Sequence, residues 1–351
     1  MEDTPRARVA TQMRTEIAQQ PEALRRTLDA LLPRVEEITS AADGARQVLF
    51  IARGTSDNAA VYGSYLIQVH AGRLATLASP SVATVYRARV DLSGVIAVGL
   101  SQSGRTEEIV STLVWARDCG ARTVAVTNGH DSALAEVADV ALITEAGAER
   151  AVPATKTFTT QLAALAVLGI GLGAEVDVGQ LRGAPDEIER LLSVPMDLDP
   201  VVAELAPVAG VVVSGRGFAY SAALELALKL KEACYLHAMG LSYADLLHGP
   251  IAVVDSATPA IIVAADSGPT LAPSIALARR VTGAGARAYG IGGGAPLGHA
   301  CSRALPGPHL PEWLAPIGLI VPGQLLAEAL ARRLGIDPDS PRGLSKVTQT
   351  V

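Results

Sequence analysis

The sequence predicts an α/β fold: two tandem doubly wound parallel sheets, each a three-layer α/β/α unit. Three observations carry this. Short apolar runs alternate with helical patterns through both halves of the chain, the mark of repeated strand–helix–strand units and a parallel sheet. The runs are continuous rather than alternating, as strands covered on both faces require. The second half also repeats the first: Ile51 and Ser214, Ser103 and Ser267, and Arg122 and Arg287 are separated by 163, 164 and 165 residues, a nearly constant offset.

Residues 1–45 read as a helical N-terminal arm. Met13 and Ile17 share one helical face, and Pro21 opens a second helix through Leu24, Leu28 and Leu31. Residues 46–180 form the first sheet domain, with strands at 47–52, 95–99, 123–128 and 140–143. A long Ala/Leu-rich helix through Thr159 and Leu168 follows Pro153. Gly173, Gly179, Gly183, Pro185, Pro195 and Pro200 predict a linker around one short helix at 188–192. Residues 199–335 form the second domain, with strands at 211–213, 260–265 and 287–292, and residues 336–351 form a tail too rich in Pro and Gly for a helix. With 351 residues, 49% of them hydrophobic, each domain is expected to have its own core.

Composition excludes several classes of function. The net charge of -6, with no block of like charge, argues against a nucleic-acid surface. The apolar run at 162–172 is too short and too Gly-broken to span a membrane. Cys119, Cys234 and Cys301 are far apart without CxxC spacing, so they read as reduced thiols and point to a cytoplasmic protein. The first residues lack an apolar leader segment. No His/Cys cluster, dinucleotide fingerprint or Walker loop implies a metal or nucleotide, so no cofactor is expected.

Two stretches carry chemistry. The strand at 95–99 runs into a loop of Ser101, Gln102, Ser103, Gly104, Arg105 and Thr106, which opens a helix. Hydroxyls, a glycine and unpaired helix-end N–H groups suit a dianionic phosphate. The second copy has Ala265 and Asp266 where the first has Ser101 and Gln102. A carboxylate there repels phosphate, so only the first loop is expected to bind it. Further on, Glu225, Lys229 and Glu232 fall on one helical face among Leu224, Leu226, Ala227, Leu228 and Leu230. Charges on a buried helix need partners or a cavity, which points to a site rather than a solvated ladder.

The chain resembles the sugar isomerase (SIS) domain family, and within it the isomerase halves of the glutamine–fructose-6-phosphate aminotransferases. The resemblance covers almost the whole chain. It rests on Gly54-Thr55-Ser56, Leu100-Ser101-Gln102-Ser103-Gly104, Thr155-Lys156, Ala227-Leu228-Lys229-Leu230-Lys231-Glu232, Leu247-His248-Gly249-Pro250 and the tail from Asp337 through Lys346. It implies a hexose 6-phosphate held at Ser101, Gln102, Ser103 and Thr106, with Thr55 and Ser56 nearby and Val152, Ala154 and Glu225 around the sugar. Glu232 would move a proton between C1 and C2, and His248 would help open the ring from the neighbouring subunit of a homodimer. Lys229 and Lys346 would place charge near the open-chain oxygens. The chain departs from the family at Arg53, where a cysteine is usual, at Arg105, where a glutamate is usual, and at Ala154, where a serine is usual. Glu2 stands where the family's glutaminase domain has its cysteine nucleophile, so no tethered ammonia source is expected.

The leading expectation is therefore an isomerase/deaminase that converts glucosamine 6-phosphate to fructose 6-phosphate and ammonia. Two others stand beside it: a dehydratase that expels the 3-hydroxyl of N-acetylglucosamine 6-phosphate, and a non-catalytic sugar-phosphate sensor.

Overall fold

The computed structural model describes residues 10–346. Residues 1–9 of the expected arm and 347–351 of the expected tail lie outside the described residues. Two five-stranded sheets form, one from each half. The first comprises β1 (Gln47–Ile51), β2 (Leu74–Leu77), β3 (Val95–Leu100), β4 (Arg122–Thr127) and β5 (Val140–Ile143), in the order β2-β1-β3-β4-β5. The second comprises β6 (Gly210–Gly215), β7 (His237–Ser242), β8 (Ala260–Ala264), β9 (Ala288–Gly292) and β10 (Arg303–Leu305), in the order β10-β9-β8-β6-β7. Every ladder is parallel. Read from its own first strand, the second sheet has the topology of the first, so the internal repeat predicted from sequence is a repeat of fold.

The central strands are those whose sequence is a continuous apolar run. All six residues of β3 and all five of β8 are buried, because helices cover both faces. β2, β7 and β10, which the sequence reading missed, are edge strands. Leu74 and Thr76 of β2 and His237 and Met239 of β7 point outward, and β10 has three residues. Short, half-solvated edges lose the continuous apolar signal.

Two expectations are corrected. Residues 178–193 are one 16-residue helix, Val178–Ser193, not a linker around a short helix. The Asp177 side chain caps it through the N–H groups of Gly179 and Gln180, and Leu181, Ala184, Ile188 and Leu191 make a buried stripe that outweighs its two glycines and Pro185. The halves also share a core. The largest apolar cluster runs without a break from Met13 to Ala331, and two smaller ones cover the outer faces of the sheets. The physical reason is helix packing. Helices Thr55–His70 and Lys156–Gly171 of the first half lie against Ala219–Cys234 and Ala315–Arg333 of the second. The arm helix Gln20–Leu31 seals the same core. Gln324, buried on the last helix, joins them: it accepts a hydrogen bond from Gln20 Nε2 and donates one to the carbonyl of Thr155.

In each sheet the strand order reverses between the first and third strands of the half. Such a switch point opens a crevice at the carboxyl ends of the strands. In the first sheet it lies between the ends of β1 and β3, at the Gly54-Thr55-Ser56 turn and the 101–106 loop.

Candidate active site

The loop after β3 is fixed by its own backbone. Gly104 has φ +63°, and a Cβ there would sit 2.3 Å from Ser132 Oγ and 2.7 Å from Thr127 Oγ1, so this position admits only glycine. The Gly104 N–H donates to Ser101 Oγ (3.2 Å), and that of Arg105 donates to Ser103 Oγ (3.2 Å). Ser101 Oγ and Thr106 Oγ1 approach to 3.4 Å. Thr106 is the N-cap residue of helix Glu107–Asp118, yet its side chain makes no capping bond. Opposite, Gly54 (φ +57°) starts helix Thr55–His70 and turns Thr55 and Ser56 toward the same space.

Helix Ala219–Cys234 brings charge to that space. Lys229 is wholly buried, and its ammonium lies 2.5 Å from Glu232 and 3.2 Å from Glu225. Glu225, equally buried, also accepts from Thr55 Oγ1 (3.0 Å) and Asn58 Nδ2 (2.8 Å). Burial pushes the Glu225 carboxyl above its usual range, against the pull of Lys229. Burial alone would lower Lys229, but the two carboxylates outweigh it and raise the amine, which keeps it protonated. Glu232 differs from its neighbours in reaching solvent: its side chain is 22% exposed and lines the cavity.

A third element is the strap between β5 and helix Lys156–Gly171. Glu149 is buried there and accepts from the N–H and hydroxyl of Thr155, from the N–H and hydroxyl of Thr157, and from Lys346 Nζ (2.8 Å). Burial works to raise its carboxyl, but Lys346 and the Thr donors prevail and hold it below the usual carboxylate value. Lys346 also donates to the carbonyl of Ala151 (2.8 Å). The tail is thereby drawn over the strap. Asp339 anchors it further back, accepting from the N–H groups of Gln12 and Met13 and giving its carbonyl to Val152.

These elements enclose a cavity of about 300 Å³. Of the residues expected at the site, Thr55, Ser56, Ser101, Gln102, Ser103 and Thr106 line it. So do Val152, Ala154, Glu232 and Lys346. Glu225 and Lys229 are outside the lining, buried behind Glu232 and Thr55. His248 is not brought in: it is exposed at the end of helix Tyr243–Leu247 and does not line the cavity. Sequence reasoning missed Glu149 and did not place Arg53, Leu344 and Ser345 in the cavity wall. No spacing signals Glu149, because its partners are Thr155, Thr157 and the distant Lys346.

The counterpart loop of the second half is filled. Asp266 pairs with His309 (3.3 Å), and Thr270 donates to Glu312. A Cβ on Gly268 would meet Glu312 at 2.3 Å. Among the described residues, no group of three or more His, Cys, Asp or Glu side chains could hold a metal ion, and no helix is long and apolar enough to cross a membrane.

A family model for the SIS domain matches residues 43–171 and 204–304. The isomerizing glutamine–fructose-6-phosphate aminotransferase of Pyrococcus horikoshii is 33% identical over 344 residues, which cover 95% of this chain and 57% of that protein. The same enzyme of Symbiobacterium thermophilum is 35% identical over 359 residues, covering 95% and 58%. The chain thus spans a little over half the length of the curated relatives it matches. Two solved structures superpose closely. A Silicibacter pomeroyi DSS-3 protein assigned as a phosphosugar isomerase has TM-score 0.86 and 32% identity, covering 94% of this chain and 100% of its own. The C-terminal domain of the Francisella tularensis glucosamine–fructose-6-phosphate aminotransferase has TM-score 0.86 and 26% identity, covering 96% and 100%.

The Glu149–Lys346 pair makes a test of the tail. A carboxyl held below its ordinary 4.5 stabilises the fold above that pH and loses the contribution as pH falls through the lowered value. Lys346→Met should therefore cost about 1–3 kcal/mol at neutral pH, because the buried carboxylate loses its cation. Denaturant titration across pH should show that difference level above about pH 6 and narrowing toward acid. A difference independent of pH would mean that the pair does not hold the tail.

Proposed function

The chain belongs to the SIS domain family, and on that premise we propose that it is an amino-sugar 6-phosphate isomerase/deaminase, converting glucosamine 6-phosphate and water to fructose 6-phosphate and ammonia. The observation that supports this is one cavity lined both by the hydroxyls of Ser101, Ser103 and Thr106 and by the carboxylate of Glu232. Its volume of about 300 Å³ suits one small phosphorylated ligand. The loop, with the helix end behind it, supplies donors for the phosphate dianion. Held there, the sugar presents its carbonyl end toward Glu232.

In the open-chain aldehyde the C2 proton is acidified by the neighbouring carbonyl. Glu232 takes it as the C1 oxygen gains a proton, giving an enolamine, and returns it to C1 as the nitrogen gives up one of its own protons. C1 becomes a hydroxymethyl group and C2 an imine. Water adds to the imine, ammonia leaves, and the 2-ketose remains. Lys229, protonated and 2.5 Å from Glu232, orients that carboxylate. Lys346, at the cavity wall, places a cation where the C1 oxygen gathers charge as the C2 proton leaves. The imine route needs a free amine. An acetylated nitrogen closes it, which leaves expulsion of the 3-hydroxyl as the reaction open to the same C2 anion.

His248 is exposed and outside the cavity of its own chain. The reading therefore includes a homodimer, in which His248 serves the cavity of a second copy and assists ring opening.

Two measurements test this. Glu232→Gln keeps shape but cannot accept a proton, so kcat for ammonia release from glucosamine 6-phosphate should fall roughly 100-fold or more, with KM little changed. Ammonia released at the wild-type rate by the variant would remove Glu232 from the reaction. Loss of water from the N-acetyl sugar, with no ammonia from the free amine, would replace the deaminase reading with the dehydratase. Mixing inactive Glu232→Gln and His248→Ala proteins should restore part of the activity, because hybrid dimers hold one intact site. No recovery after subunit exchange would contradict a site shared between subunits.

A further inference from the structure

We propose that Arg53 is a specificity-determining residue: it supplies a fixed cation to the phosphate end of the cavity, so that a dianionic phosphate is selected by charge as well as by hydroxyl donors. The inference rests on the reading of the 101–106 loop as the phosphate subsite.

Arg53 leaves the carboxyl end of β1 and lines the cavity beside Thr55, Ser101 and Thr106. Its guanidinium is held by a two-pronged contact: Nε donates to Glu108 Oε2 and Nη2 to Glu108 Oε1, both at 3.0 Å. The pair is asymmetric. The Glu108 side chain is 8% exposed and that of Arg53 is 47% exposed, so the carboxylate is the buried anchor and the guanidinium its open end. Among the described residues, Nη1 makes no hydrogen bond to protein.

Charge explains why a cation is needed here. Glu107 and Glu108 occupy the first turn of helix Glu107–Asp118, whose N-terminus faces the ligand. Acidic first-turn residues stabilise a helix but oppose an anion bound at the same end. Lys346 is drawn to Glu149, and Lys229 is sealed behind Glu232 between two carboxylates. Arg53 brings a planar, permanently charged donor to the end of the cavity where the hydroxyls are, and Glu108 fixes its orientation. In this arrangement Glu108 is a positioning residue.

The experiment is calorimetric binding of inorganic phosphate and of glucitol 6-phosphate, which has no carbonyl to isomerise. The proteins are wild type, Arg53→Gln and Arg53→Cys, the last carrying the residue that the family resemblance implies at this position. Both variants should bind both probes roughly tenfold more weakly than wild type, with a shallower dependence on salt. The Arg53→Gln/Glu108→Gln double variant should stay weak. Affinities within about twofold of wild type would overturn the assignment. Recovery in the double variant would overturn it too, because Arg53 would then merely neutralise Glu108. These outcomes do not depend on the reaction. Unchanged phosphate binding refutes the role of Arg53 even if glucosamine 6-phosphate is deaminated, and weakened binding supports it whatever is done to the sugar.

Discussion

The site depends on one buried cation. Lys229 has no exposed surface and lies between Glu225 and Glu232, with Thr55 Oγ1 at 3.3 Å. An ammonium taken out of water costs several kcal/mol unless its charge and protons are matched. Here they are matched by two carboxylates on its own helix and by a hydroxyl from the other half of the chain. The same Glu225 grips Thr55 and Asn58. One ion cluster therefore pins the second half's helix to the turn after β1 and aims Glu232 into the cavity. Burial raises the Glu225 carboxyl, and the nearby Glu232 adds to that rise against the pull of Lys229.

A repeat of fold need not be a repeat of function. Both sheets have the same topology and both open a crevice at the strand reversal. The first crevice is lined by Ser101, Gln102, Ser103 and Thr106. The second is packed with Asp266, Glu312 and His309. The second half supplies the helix that carries Glu225, Lys229 and Glu232 instead, and the shared core fixes that helix against the loop of the first. The two copies thus differ in their loops, one carrying hydroxyls and the other packed with carboxylates.

Much of this was legible in the sequence, and the failures have common causes. The buried strands, the repeat, the hydroxyl loop and the charged helical face were readable because each is local: a run, an offset, a loop composition, a spacing. The edge strands β2, β7 and β10 escaped because half-solvated strands carry no continuous apolar run. The Val178–Ser193 helix was hidden by two glycines and Pro185, although its buried stripe and Asp177 cap decide the outcome. Glu149 was invisible because its role exists only once Lys346, 197 positions away, is folded onto it. The shared core escaped for a related reason: repetition in sequence counts units, while the helices between the sheets decide whether the units have separate interiors.

The central claim is that Glu232 carries one proton between C2 and C1 of a sugar held by the first loop. Running the reaction on glucosamine 6-phosphate in D2O and locating deuterium in the fructose 6-phosphate by mass spectrometry and NMR tests it most directly. The account predicts deuterium at C1 with wild-type protein, to the extent that the abstracted proton exchanges with solvent, and none with Glu232→Gln. Fructose 6-phosphate carrying C1 deuterium at the same rate from both proteins would contradict it.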